Sequence, residues 1–378
     1  MNQIVFTGGG TAGHIFPGLA IINELKPLLD ARYSWIGSSR GMDRAIVEGN
    51  GVHFYGVPTG KLRRYASLEN FIDLFRTVSG IVVSFCILFR LRPRFVFSKG
   101  GFASVPTCIA ARLLGIPVFT HECDYSPGLA TRINARFALT IFTSFNETSS
   151  FFPERMRNRI ICTGNPVRPA FYSTSADRAR TFLSLVKPHR PVLLVLGGSL
   201  GARQINELIS ISLPALAEFC LIIHQTGLAG QTDSSFDLPV PDRTGYISFP
   251  FIRSEMPDVL SLADIVLARS GSNTVWECAA VGKPMVLIPL EKGGSRGDQI
   301  ENAAFFQKEG AAIVLRGKDA SREQLVKTVS DLFTDNERRT RMANEAARLG
   351  SGRPAHVIAQ HLSAYAEHSR VPSESDLP

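Results

Sequence analysis

Two glycine-rich turns, roughly half the chain apart, constrain the fold more than any other feature. Thr7-Gly8-Gly9-Gly10-Thr11-Ala12-Gly13-His14 follows the apolar run Ile4-Val5-Phe6, and Gly197-Gly198-Ser199-Leu200-Gly201-Ala202-Arg203 follows Val192-Leu193-Leu194-Val195-Leu196. An amphipathic helical pattern comes after each turn. A buried strand, a tight turn and a helix form the opening of a βαβ unit, and the turn aims backbone N–H groups and a helix N-terminus at an anion. Two such turns give an expectation of two phosphate-bearing ligands.

The rest of the chain repeats the same alternation. Strand patterns at 3–6, 33–36, 53–57, 95–98, 118–120 and 139–142 are separated by helical patterns from 15, from 42, at 71–91 and at 104–114. A second series has strands at 192–196, 219–225, 244–249, 265–268, 285–289 and 312–315, with helices at 202–211, 274–281 and 299–309. Such alternation predicts an α/β protein with two doubly wound parallel-sheet domains. Gly164-Asn165-Pro166-Val167-Arg168-Pro169 interrupts both helix and strand, so the domains are expected at 1–165 and 166–352. A last helix at 353–368 is expected to pack back on the first domain, before a frayed tail at 369–378.

The 378 residues, 44% hydrophobic and 20% charged, suffice for two cores. Six cysteines show neither a C-x-x-C pair nor a metal-ligand spacing, which points to reduced thiols rather than disulfides or zinc. The opening residues run straight into a strand, so no export signal is expected. The net charge of +8 is uneven: residues 1–165 carry 18 Lys/Arg against 10 Asp/Glu, and residues 166–378 carry 23 of each.

Basic excess in one domain fits an anionic membrane, nucleic acid or a polyanionic substrate, and its apolar neighbours favour the membrane. Between Arg63 and Arg94, bulky residues including Phe71 and Phe75 and the uncharged run 77–89 are flanked by Lys61, Arg63, Arg64, Arg76, Arg90, Arg92 and Arg94. The uncharged run is shorter than the roughly 20 residues that span a bilayer. A helix lying on an anionic leaflet is expected, with a buried crossover helix as the alternative for 81–89; nucleic acid is not expected as a partner.

Gly8-x-Gly10-x-x-Gly13 fits a dinucleotide fingerprint, which also needs an acidic residue at the end of the next strand for the ribose. That strand ends Trp35-Ile36-Gly37-Ser38-Ser39, without a carboxylate. A third turn, Ser98-Lys99-Gly100-Gly101-Phe102, follows another strand of the first domain, where two N–H-rich turns on one sheet edge suit a diphosphate. His14 stands at a helix start, and an imidazole, which in its unperturbed form titrates near neutrality, suits a base for a hydroxyl proton.

In the second domain, Arg269-Ser270-Gly271-Ser272-Asn273-Thr274-Val275-Trp276-Glu277 joins strand to helix, with first-turn N–H groups for a diphosphate and Glu277 for ribose hydroxyls. Asp298 and Gln299, in the polar run 293–302, offer groups for sugar hydroxyls. No D-x-D triplet occurs, so neither a metal nor another cofactor is expected, and Arg168 or Arg269 is the candidate counter-charge for a diphosphate.

Gly9–Gly18, Lys99–Phe102, His121-Glu122, Gly164–Arg168, Gly197–Ser199, Arg269–Gly271 and Glu277 together resemble the bacterial lipid II synthases of glycosyltransferase family 28, nearly end to end. The resemblance implies a GT-B fold, two Rossmann-like domains facing a cleft, in a peripheral protein on the cytoplasmic face of the cell membrane. It also implies inverting transfer of N-acetylglucosamine from UDP-N-acetylglucosamine to the C4 hydroxyl of undecaprenyl-diphospho-muramoyl-pentapeptide. By motif position, His14 and Glu122 are catalytic. Ser199, Ile252, Ser272, Asn273, Thr274, Val275, Trp276 and Glu277 hold UDP, Arg168 meets the diphosphate, and Gln299, paired with Asp298, meets the sugar. Thr11, Ala12 and Gly13 line the cleft, Gly100 and Gly101 with Lys99 lie near the acceptor diphosphate, and Asp124 stands beside the sugar. Ala12, Asp124, Leu200 and Asp298 depart from the family pattern. Ionised, Asp124 and Asp298 accept from hydroxyls and cannot donate. A diacylglycerol glycosyltransferase or a UDP-sugar epimerase of the same fold is the alternative.

Overall fold

The computed structural model describes residues 2–60, 68–185, 190–198, 201–227, 245–291 and 297–368, with the side chains of Ala12 and of residues 68–72 outside that description. Ser199, Leu200, Lys61, Arg63, Arg64, residues 293–296 and the tail 369–378 lie outside the described residues. Contacts divide the chain into two units, Met1–Arg168 with Arg353–Pro378, and Pro169–Gly352.

The first unit contains strands β1 (Asn2–Thr7), β2 (Ala31–Ser38), β3 (His53–Val57), β4 (Val96–Ser98), β5 (Val118–Glu122), β6 (Ala138–Thr143) and β7 (Ile160–Cys162). Its helices are α1 (Phe16–Leu25), α2 (Asp43–Glu48), α3 (Leu68–Leu91), α4 (Ser104–Leu113), α5 (Leu129–Asn134) and α6 (Glu154–Arg157). The second unit contains α7 (Ala176–Phe182), β8 (Val192–Leu196), α8 (Arg203–Leu216), β9 (Leu221–Gln225), β10 (Tyr246–Phe249), α9 (Met256–Leu262) and β11 (Ile265–Ala268). It continues with α10 (Ser272–Ala280), β12 (Met285–Leu287), α11 (Asp298–Lys308), β13 (Ala312–Val314), α12 (Arg322–Thr334) and α13 (Asn336–Gly350), and α14 (Pro354–His368) returns to the first unit.

Among the described residues, the strands order as β3-β2-β1-β4-β5-β6-β7 and β10-β9-β8-β11-β12-β13, and every pairing is parallel. Strand order reverses direction between β1 and β4 and between β8 and β11. In such sheets, ligands bind beyond the carboxyl ends of the strands at that reversal. The turns after β1 and β4, and those after β8 and β11, are the glycine-rich and serine-rich segments of the sequence.

Alternation along β1 explains the two layers of the first unit. Ile4 and Phe6 pack with Leu19, Ile22, Trp35, Phe97, Ile358 and Leu362, whereas Val5 packs with Ile36, Val57, Leu88, Val96 and Cys108 on the opposite face. A strand covered by helices on both sides has no polar face, which accounts for the unbroken apolar run. Helix α14 belongs to the first layer, and Arg94 ties it down by donating to Ala366 O at 2.5 Å.

Helix α3 is amphipathic with apolar residues on both faces. A Cβ on Gly80 would meet Pro58 O at 2.1 Å, Ser84 lies 3.3 Å from Thr107 of α4, and Leu88 is buried. Leu74, Phe75, Val78, Val82, Phe85 and Phe89 are exposed on its other side. The helix continues through Arg76 and Arg90, beyond the uncharged run used for the sequence expectation. Asp73–Leu91 is the one helix among the described residues that is long and apolar enough to cross a membrane by length and composition.

Candidate active site

The first glycine turn leaves β1 and ends in a short 3-10 turn, Ala12–His14, where His14 N donates to Thr11 O at 3.1 Å before α1 begins at Phe16. Trp35 Nε1 holds Gly8 O at 3.0 Å from below. Gly10 N points to the carboxylate of Asp43, a residue outside every expected site. The second turn begins where Lys99 N donates to Thr7 O at 2.8 Å, so the two turns are neighbours on one sheet edge. Asn134 braces it by donating to Ser98 Oγ at 3.0 Å and Ser104 Oγ at 2.8 Å.

The fit between these turns is close. A Cβ on Gly101, whose φ is 75°, would lie 2.5 Å from Gly9 O and 2.8 Å from His14 Cδ2. The His14 imidazole therefore rests against the second turn, and Thr11 and Gly13 accompany it. Arg168, assigned from sequence to the second domain, closes the first unit with its guanidinium carbon 5.2 Å from the Phe16 ring centroid.

Three neighbouring residues of the first unit, Lys99, His121 and Glu122, are buried. Lys99 is buried beneath the turn, 1% exposed, and its Nζ meets no hydrogen-bond acceptor among the described residues. Beside it, His121 lies close to Gly164 O (Nε2 at 3.1 Å), and burial together with the Lys99 charge pushes its pKa well down, so it is neutral. Glu122 is buried with both oxygens committed: Oε1 accepts from Asp124 N and Oε2 from Gly128 N, each at 3.0 Å. A carboxylate that accepts two backbone N–H groups shapes the 123–128 loop, and this is the part the structure gives Glu122. Ligand atoms of Glu122, Cys123 and half-buried Asp124 come within 4.8 Å of one another, and the Glu122 oxygens in that group already serve the loop.

In the second unit, Gly271 caps α10, and the helical ladder begins with Val275 N donating to Gly271 O at 3.2 Å. The N–H groups of Ser272, Asn273 and Thr274 precede it at the positive end of the helix. Arg269 is half-buried just before them. Burial weighs against its charge, and its Nη1 has no acceptor among the described residues, as suits a guanidinium built to receive an anion. Ser270 Oγ donates to Gln299 O at 2.6 Å and Gln299 Oε1 accepts from Leu290 N at 3.0 Å, bringing the start of α11, with Asp298, beside the start of α10. Glu277 lies one turn further along α10 and is partly exposed.

Two expected UDP contacts turn inward with the helical period. Val275 is fully buried with its N–H already used, and Trp276 packs edge-on against Phe306 at 5.4 Å. Ile252 is also buried, and its N–H donates to Gln225 Oε1 at 2.9 Å. These side chains support the site from within.

Residues 4–143 match the model of the glycosyltransferase family 28 N-terminal domain, and residues 192–362 match that of the family 28 C-terminal domain. A Treponema denticola protein named UDP-N-acetylglucosamine--N-acetylmuramyl-(pentapeptide) pyrophosphoryl-undecaprenol N-acetylglucosamine transferase is 50% identical over 388 residues, covering 97% of this chain and 98% of the relative. The crystal structure of Acinetobacter baumannii MurG superposes with a TM-score of 0.72 at 24% identity, over 97% of this chain and all of that one. A Neisseria meningitidis UDP-GlcNAc 2-epimerase bound to UDP-GlcNAc gives 0.65 at 14% identity, over 96% of this chain and 99% of that one. These two structures speak to the fold.

Proposed function

The chain belongs to glycosyltransferase family 28, and from its two sites we propose how its reaction runs. It is an N-acetylglucosaminyltransferase with two GT-B parallel-sheet units, moving the sugar from UDP-N-acetylglucosamine to undecaprenyl-diphosphate-linked muramyl-pentapeptide (lipid I) to give lipid II and UDP. The epimerase shares the fold, but 50% identity to a transferase over nearly the whole chain favours transfer.

His14 takes the proton of the acceptor C4 hydroxyl, whose oxygen attacks the anomeric carbon opposite the nucleotide. The C1–O bond breaks, its electron pair leaves on the β-phosphate, and the α-linked donor gives a β-linked product. Negative charge gathers on the departing UDP, where the N-terminus of α10 and Arg269 stabilise it. The observation that carries this reading is the half-buried Arg269 guanidinium, its Nη1 unpaired among the described residues, at the start of α10. Serine and asparagine N–H groups with a waiting cation suit a nucleoside diphosphate without a further charge carrier.

The acceptor is membrane-borne, and the exposed apolar side of α3 supports docking of the first unit on the cytoplasmic leaflet. Packing of the other side against Pro58 and α4 favours lying on the bilayer over crossing it. Arg90 and Arg92, close to Phe89, add attraction to anionic headgroups. His14→Ala tests the base: turnover is expected to fall by about 10² to 10⁴ with UDP affinity unchanged. Near-normal turnover would assign the proton transfer to another group.

A further inference from the structure

The first glycine turn already holds an anion of its own. Asp43, the first residue of α2, is 1% exposed, and both its carboxylate oxygens lie 3.2 Å from Gly10 N while Ser38 N donates to Oδ2 at 3.1 Å. A Cβ on Gly9 would fall 2.0 Å from Oδ2, so the carboxylate touches the body of the turn. A carboxylate that shares the Gly10 N–H between its two oxygens occupies a contact a phosphate would make at such a turn.

A dinucleotide-binding protein places its acid at the strand end, for ribose. Here the acid comes five residues after Ser38 and binds the turn itself. Burial outweighs the opposing pull of the Gly10 and Ser38 N–H groups and holds its pKa above the usual carboxylate value.

We propose that Asp43 fills the anion seat of the first glycine turn, so that this turn positions His14 and takes no phosphate, leaving the acceptor diphosphate to the Gly100-Gly101 turn above buried Lys99. A diphosphate approaching Gly10 would meet a carboxylate of like charge and find the N–H group taken. Asp43 thereby acts as a positioning residue and decides which of two adjacent turns binds the acceptor.

Inorganic pyrophosphate is the probe, with UDP at saturation to occupy the donor site. Asp43→Ala frees the Gly10 N–H and removes the negative charge, so calorimetry on the full chain is expected to show pyrophosphate affinity rising at least about tenfold. Lipid II formation by this variant is expected to show kcat lower by about 10²-fold with the KM for UDP-N-acetylglucosamine unchanged, and Asp43→Asn, which keeps one acceptor oxygen, recovers part of kcat. A folded Asp43→Ala protein with unchanged pyrophosphate affinity overturns the proposal. Only the kinetic arm rests on the lipid I reading, so calorimetry separates the two failures. Should both variants fail to fold, pyrophosphate titrated into the isotope-labelled wild-type chain is expected to leave the Gly10 amide resonance unmoved, and a shift there overturns the proposal.

Discussion

Replacing Gly101 with alanine puts a methyl group between the two glycine turns, and the structure sets the size of the disturbance. The new Cβ would stand 2.5 Å from Gly9 O and 2.8 Å from His14 Cδ2, well inside the ordinary contact range that starts at 3.4 Å. A backbone oxygen has no rotamer to escape into, so the turn or the imidazole moves by roughly 0.5–1 Å. The φ of 75° adds its own cost, about 1–2 kcal/mol for a residue with a Cβ. Misplacement of a reacting group by about 1 Å lowers rate by about 10²-fold, and that is the expected fall in kcat. The UDP site proposed at the start of α10 lies in the other unit, so UDP affinity by calorimetry is expected to equal that of the wild type. The assay is steady-state sugar transfer, with a thermal melt to confirm folding. A folded Gly101→Ala enzyme with kcat within about threefold of wild type would refute the claim that contact with the second turn positions His14.

Arg269→Ala should weaken UDP binding by about 10- to 100-fold, as for loss of a charge-assisted bond, measured by calorimetry; unchanged affinity would place the diphosphate elsewhere. Phe75→Ser with Val82→Ser and Phe89→Ser removes exposed apolar area without opening a core. It is expected to lower cosedimentation with anionic vesicles by about 10²-fold or more while leaving the melting temperature in place. Acid should weaken the fold through His224, whose pKa burial lowers to about 4. Its folded pKa is below the unfolded value near 6.5, so its full contribution is present above that value and shrinks by up to about 1.4 kcal/mol per unit as pH falls toward 4. Unfolding of His224→Gln should show a flatter pH dependence over that window.

The sheet architecture was legible because physical necessity wrote it into local patterns. Ile4-Val5-Phe6 and Val192–Leu196 are apolar throughout since helices cover both faces, and the Gly100-Gly101 turn needs positive φ at both residues. Strand β7 escaped the reading because it is three residues long and carries exposed Ile161 and Cys162 at the sheet edge. Side-chain roles were harder to read. Val275 and Trp276 directly follow the polar run Arg269–Thr274, and only the phase of α10 turns them into the core. The two N–H groups that bond Glu122 come from later residues, Asp124 and Gly128, so its hold on the loop shows only in the fold. Asp43 was invisible as a partner of Gly10, 33 positions earlier, because their pairing depends on how β2 and α2 return to the turn.

The central claim is that this chain joins a nucleotide-bound sugar to a diphosphate-linked lipid acceptor. Its most direct test is incubation of the full chain with sugar-labelled UDP-N-acetylglucosamine, undecaprenyl-diphospho-muramoyl-pentapeptide and, in parallel, diacylglycerol. The account predicts label in a β-linked disaccharide on the polyprenyl diphosphate, with one UDP released per sugar transferred. Label passing only to diacylglycerol, or remaining on the nucleotide as an isomerised sugar, would contradict it.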